Sequence, residues 1–178
     1  MLTGYFLYRK ADIMLYAILA VLLIIIDQVT KYLVRANISL GENITFIPGV
    51  LDLTYVQNTG AAFSILEKHT WLLTLFSAVI VVVIAIMVFR RWFTGWVGLT
   101  TATLIIAGGV GNLIDRIAFR FVTDMLETTF MDFPVFNFAD CCITVGVVLL
   151  FIYTLFIWDD GKKKGDAKDG TDLPADNQ

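Results

Sequence analysis

The sequence predicts an all-α membrane protein: four transmembrane helices, with a small extracytoplasmic β hairpin or half-sheet and a short interfacial helix. Three observations carry that reading. First, 58% of the 178 residues are hydrophobic and only 16% are charged, with a mean hydropathy of +0.78, where soluble domains carry about 25% charged residues. Second, four long apolar runs lie along the chain, Ile13 to about Val34, Trp71 to Phe89, Trp96 to about Phe119 and Phe138 to Trp158. Each is close to the roughly 20 helical residues that cross about 30 Å of hydrocarbon. Third, the few ionisable residues of these runs crowd toward one side of the membrane.

The first run follows Arg9 and Lys10, as the h-region of a signal peptide would. It is too long for one, and it ends in Asp27, Gln28, Thr30 and Lys31 with no small-residue cleavage site, so it is expected to remain as a span. With the N-terminus inside, Arg9, Lys10, Arg90, Arg91, Lys162, Lys163, Lys164 and Lys168 fall on one side and Lys31, Arg35, Lys68, Arg116 and Arg120 on the other. The bias, strongest in the short turn bearing Arg90 and Arg91, places both termini in the cytoplasm. Trp71, Trp92, Trp96 and Trp158 all fall near span ends, as an aromatic belt requires.

Between the first two spans, Ile44–Ile47 and Leu51–Val56 are β-type runs separated by Pro48 and Gly49. Ala61–Glu67 then fits a short interfacial helix leading into the second span. Residues 159–178 are almost wholly polar and cannot bury enough surface to fold. The organisation is therefore a four-helix domain over 1–158 followed by a disordered cytoplasmic tail.

Several functions are excluded. Thirteen basic residues against sixteen acidic ones make nucleic acid a poor partner. Adjacent Cys141 and Cys142 form no ordinary disulfide, and with no Cys/His cluster the chain offers no metal site; no cofactor is expected. His69 reads as an interfacial residue, and Ser64 and Ser77 lack a base that would make them nucleophiles.

Ionisable groups in or beside spans are costly and point to function by default. Asp27 and Lys31, at i and i+4, share a helix face and can pair. Asn112, Asp115 and Arg116 form another polar face, preceded by Gly108, Gly109 and Gly111, which let a neighbouring helix approach closely. Both groups read more readily as the glue of a small bundle. Asp124 and Asp140 differ, because a short connection between antiparallel helices returns them to similar depth. Two carboxylates facing one another there would share a proton, as in an aspartic protease; a proton relay or a pair of helix caps is the alternative.

The strings D-Q-V-T-K (Asp27–Lys31), Q-N-T-G-A-A-F-S (Gln57–Ser64), G-G-V-G-N-L-I-D-R (Gly108–Arg116), V-T-D (Val122–Asp124) and F-N-F-A-D (Phe136–Asp140) occur in the order and span context of the bacterial lipoprotein signal peptidases, signal peptidase II. The chain resembles that family from about Ile13 to Trp158. The resemblance implies an intramembrane aspartyl endopeptidase of the bacterial plasma membrane. It would cut prolipoproteins on the N-terminal side of a diacylglyceryl-modified cysteine and be inhibited by the cyclic peptide globomycin. Carried over by motif, the catalytic pair falls on Asp124 and Asp140, and supporting or substrate-contacting positions fall on Asp27, Lys31, Asn58, Gly60, Asn112, Asp115, Arg116 and Asn137. Asn58 and Gly60 are expected to form a turn presenting an amide to the substrate, and Met125–Val135 to cover the site. The competing classes are a proton-coupled carrier, which needs ionisable groups reaching both faces, and a scaffold without activity.

Overall fold

The computed structural model describes residues 2–60, 70–93 and 95–156, with side chains between residues 12 and 155. The interfacial helix expected over Ala61–Glu67, together with Ser64, His69, Trp158 and the tail 159–178, lies outside the described residues. The order is α1 (Leu2–Asn37), β1 (Asn43–Ile47), β2 (Leu51–Asn58), α2 (Thr70–Phe89), α3 (Gly95–Phe119), β3 (Val122–Thr128) and α4 (Phe138–Phe156). All four helices are long and apolar enough to cross a membrane, and their surfaces are what lipid selects: Leu15, Phe76 and Phe151 are each more than 60% exposed.

α3 is the hub, packed against the other three helices. Its glycines each serve a different neighbour. A Cβ on Gly108 would collide with the Ala139 carbonyl of α4, one on Gly109 would meet Val81 of α2 at 2.6 Å, and one on Gly111 would meet Asp27 Oδ2 of α1 at 2.5 Å. With no driving force from lipid exclusion, such close backbone approach is how helices gain packing energy inside a membrane. The expected small-residue surface thus serves three partners rather than one. At the far end of the bundle an apolar core joins Ile84, Phe93, Ala102, Ile105 and Tyr153, with the Phe93 and Tyr153 rings 5.9 Å apart and the Tyr153 hydroxyl donating to the Trp92 carbonyl at 3.3 Å.

The hairpin forms where the sequence predicts it. Val50 N–H donates to the Ile47 carbonyl at 2.9 Å across Pro48 and Gly49, and Gly49 takes φ +75°, as the third residue of a Pro-Gly type II turn requires. The sheet has a further strand that the sequence reading placed in a plain connection. β3 pairs antiparallel with β2, giving the order β1-β2-β3. Val122-Thr-Asp-Met-Leu lacks the apolar-polar alternation of β2, and so short a run beside a span end has no partner visible in sequence; β2 supplies it. Met125–Val135, expected as a cover, therefore begins as strand. Val34, Tyr55 and Met125 pack together to seat the sheet on the end of α1.

Gly111→Ala should lower stability by about 2 kcal/mol, because the added methyl meets a carboxylate that cannot move without breaking its own bonds. Thermal unfolding in detergent, compared with the lipid-facing Val145→Ala, is the check; equal melting temperatures would show that α1 and α3 have slack at this contact.

Candidate active site

Site geometry starts from one buried cation. Lys31 is fully buried on α1 and its Nζ donates to Asp27 Oδ2 at 2.9 Å and to Asn112 Oδ1 at 2.8 Å, with Asp115 Oδ2 at 3.7 Å. A buried ammonium is tolerated only when paired and hydrogen-bonded, and the i, i+4 spacing supplies the first partner. Each partner then holds something else. Asp27 Oδ1 accepts the Ala139 N–H at 3.0 Å, one of the orphan donors at the start of α4. Asn112 Nδ2 donates to Asp140 Oδ1 at 2.7 Å. Asp115 Oδ2 accepts the Thr123 N–H at 2.9 Å.

Asp140 sits at the third position of α4 and forms a capping box with Asn137. Its N–H donates to Asn137 Oδ1 at 3.0 Å, and its Oδ2 accepts the Asn137 N–H at 3.1 Å. With its oxygen committed to the cap, Asn137 turns Nδ2 to Asp124 Oδ1 at 2.6 Å. Asn58 repeats the arrangement: its Oδ1 accepts the Gly60 N–H at 2.9 Å and its Nδ2 donates to Asp124 Oδ2 at 2.8 Å. Sheet register makes this possible, since Asp124 opposes Val56 and Asn58 opposes Val122, leaving Asn58 and Asp124 diagonal neighbours on one face. The Gly60 amide is thereby used inside the turn rather than presented outward, a correction to the sequence expectation.

The two aspartates reach the same cavity because the chain doubles back. After β3 it returns so that Phe136 N–H donates to the Leu126 carbonyl at 3.0 Å, and the Phe136 carbonyl accepts the Met125 and Leu126 N–H groups at 3.0 and 2.8 Å. One residue later the Asn137 cap begins α4. Asp124 and Asp140 line the same cavity of about 710 Å³ with Asn58, Asn112, Arg116 and Phe136. Arg116 contributes a positive charge near both carboxylates, and its Nε is buried with no hydrogen-bond partner among the described residues.

Asp124, only 2% exposed and outside the spans, has its carboxyl pushed up to about 7, first by burial and then by the charge of Asp140, against the pull of Asn58, Asn137 and Lys31. A second cavity of about 860 Å³ lies at the opposite end between α1, α2 and α3; Asp12 is the one carboxylate among its lining residues, so it holds no acid pair. Every predicted site residue falls in the first network or its cavity except Gly60, whose N–H is bonded to Asn58. Sequence reasoning missed Gln28, whose Nε2 donates to Asp27 Oδ2 and the Gly111 carbonyl at 3.0 Å each and approaches Asp115 Oδ1 at 3.4 Å. Its place between Asp27 and Lys31 was the available signal. Cys142 is buried as expected of a packing residue, whereas Cys141 reaches the cavity.

A polytopic helical protein that gathers its buried ionisable groups around a cavity at one end is built as a membrane enzyme, and the comparisons agree. Residues 19–156 match the family model of signal peptidase (SPase) II. The lipoprotein signal peptidase of Enterococcus faecalis is 41% identical over 89% of this chain and 97% of its own. That of Lactiplantibacillus plantarum is 42% identical over 79% and 94%. A bacterial membrane enzyme solved by the in meso method at 2.3 Å superposes with a TM-score of 0.75 at 29% identity, over 89% of this chain and 94% of that one. Another, solved at 1.9 Å, gives 0.72 at 32% identity over 80% and 93%. The chain belongs to the signal peptidase II family, proteases that remove signal peptides from prolipoproteins.

Lys31→Met should destabilise the protein by about 3–5 kcal/mol, because it strands the buried carboxylates of Asp27 and Asp115. Pairing it with Asp27→Asn should recover part of the loss; denaturation of the single and double variants measures both, and additive losses would contradict the shared network.

Proposed function

We propose that the chain is an aspartic endopeptidase whose catalytic pair is Asp124 and Asp140, cleaving diacylglyceryl-modified prolipoproteins on the N-terminal side of the lipidated cysteine. The observation that carries the reading is the Asn137 side chain: one amide caps the helix bearing Asp140 and donates to Asp124, tying both carboxylates to one cavity. Their hydrogen bonds come from neutral amides, which orient the oxygens without neutralising them.

The chemistry follows from a pair that holds one proton. Water attacks the scissile carbonyl carbon as the ionised carboxylate takes its proton, and the protonated partner gives its own to the carbonyl oxygen. Collapse of the tetrahedral intermediate breaks the C–N bond, with a proton returned to the departing α-amine of the cysteine. Asn58 and Asn137 hold Asp124, Asn112 holds Asp140, and Asp27, Lys31 and Asp115 fix the frame. Arg116 is the cavity's cation for substrate carbonyls, and Gly60 serves by orienting Asn58. A mostly apolar cavity floor that continues down α4 suits membrane lipid, the diacylglyceryl group and cyclic-peptide inhibitors of the globomycin type.

In this proposal the sheet end is extracytoplasmic in the bacterial plasma membrane, and the Arg90–Arg91 turn and both termini are cytoplasmic. Residues 1–158 are the peptidase domain, followed by the polar residues 159–178. The carrier reading loses support because the buried acidic and basic side chains, Asp27, Lys31, Asp115 and Asp124, sit at the sheet end alone among the described residues.

Asp124→Asn and Asp140→Asn should each reduce cleavage of a diacylglyceryl precursor by roughly 10³-fold or more while melting near wild type; near wild-type cleavage by either would remove the dyad. Because the single proton must stay on the pair, raising the pH through about 7 should lower kcat. A profile flat from about pH 6 to about pH 9 would contradict that assignment.

A further inference from the structure

Both proposed catalytic aspartates have their preceding residue held by α1. Asp27 accepts the N–H of Ala139, the residue before Asp140. Eight residues along the same helix, Arg35 Nη1 donates to the Thr123 hydroxyl at 2.8 Å, and Thr123 is the residue before Asp124. Asp27, Lys31 and Arg35 recur every four residues and so form one stripe on α1. Two straight turns and a little more separate its ends, about 12 Å of rise.

We infer that Arg35 is a positioning residue for the proposed reaction: through the buried Thr123 hydroxyl it sets where β3 presents Asp124 relative to Asp140. The inference rests on the dyad reading. Thr123 is gripped twice, since its N–H goes to Asp115 Oδ2 at 2.9 Å while its hydroxyl accepts from Arg35. Arg35 is itself immobilised. Its Nη1 lies 3.7 Å from Asp115 Oδ1, its guanidinium carbon stands 4.5 Å over the Phe119 ring, and its side chain is 19% exposed. A planar, always-charged guanidinium can span the carboxylate and the hydroxyl together while stacked on an aromatic face, which a lysine cannot do.

Asp124 needs such a clamp more than Asp140 does. Asp140 rides on a helix with its own cap, whereas Asp124 rides on a seven-residue edge strand whose pairing with β2 shifts register between Leu53 and Val56. A strand bends at such an irregularity, so the side-chain grip from α1 adds to the pairing of Val122 and Asp124 with β2 in fixing its end.

Thr123→Val keeps the shape and the Asp115 bond but deletes the hydroxyl. In the full-length protein assayed on a diacylglyceryl precursor, it should lower kcat by about 10- to 100-fold, the scale of a displacement near 1 Å. KM should stay within about twofold, the melting temperature should hold, and the alkaline limb of the pH profile should move to lower pH as Asp124 draws away from Asp140. Thr123→Ser should restore kcat, and adding Arg35→Met to Thr123→Val should cost nothing more than the larger single loss. Wild-type kcat in Thr123→Val, a loss that serine fails to rescue, or a drop that follows the melting temperature would each overturn the inference. Asp124→Asn and Asp140→Asn run alongside separate the two claims. If both are inactive while Thr123→Val is normal, this inference alone fails; if they cleave normally, the dyad reading fails and takes this one with it.

Discussion

The structure depends on neutralising one ammonium group in a place without water. Lys31 has no exposed surface, and a cation buried there costs several kcal/mol unless carboxylate and carbonyl oxygens surround it. Satisfying it draws Asp27 of its own helix and Asn112 and Asp115 of α3 to one point. Gly111 then has to be glycine, because Asp27 occupies the space a side chain would need. The partners' remaining hydrogen-bonding capacity is what organises the site: Asp27 takes the first turn of α4, Asp115 takes β3, and Asn112 takes Asp140.

Around the proposed catalytic pair the rule reverses. There the donors are asparagine amides and backbone N–H groups, and Lys31 acts on the pair only from behind Asn112. A cation in direct contact would hold both carboxylates ionised. Neutral donors fix the geometry and leave the proton balance to burial and to mutual repulsion, which is why Asp124 rises to about 7 rather than falling. Separation of a charged frame from a neutral-donor site lets one protein be stable and keep a titratable pair near neutrality.

Sequence disclosed the parts that obey local rules. Four spans follow from apolar length, the Asp27–Lys31 pair from i, i+4 spacing, and the hairpin from alternating residues about Pro48 and Gly49. Asp124 and Asp140 stood out because a short connection between antiparallel helices returns both carboxylates to similar depth. What stayed hidden was long-range pairing. β3 is defined only by β2, the double use of Asn137 and Asn58 only by backbone N–H groups that reach them after folding, and the reach of Asp27 to Ala139 spans 112 positions. The motif strings had already singled out Asn58, Asn112 and Asn137, but the resemblance named them without saying what each one holds.

The claim that a single buried cation governs both arms of the site is tested most directly by amide hydrogen exchange at two positions, Ala139 and Thr123, with selectively ¹⁵N-labelled alanine and threonine. In the wild-type protein both amides should be strongly protected. In Lys31→Met both should lose protection together, while amides in the middle of α3 keep theirs. Retained protection at both positions would contradict the account, because it would mean that Asp27 and Asp115 hold α4 and β3 without the charge they are thought to be paired with.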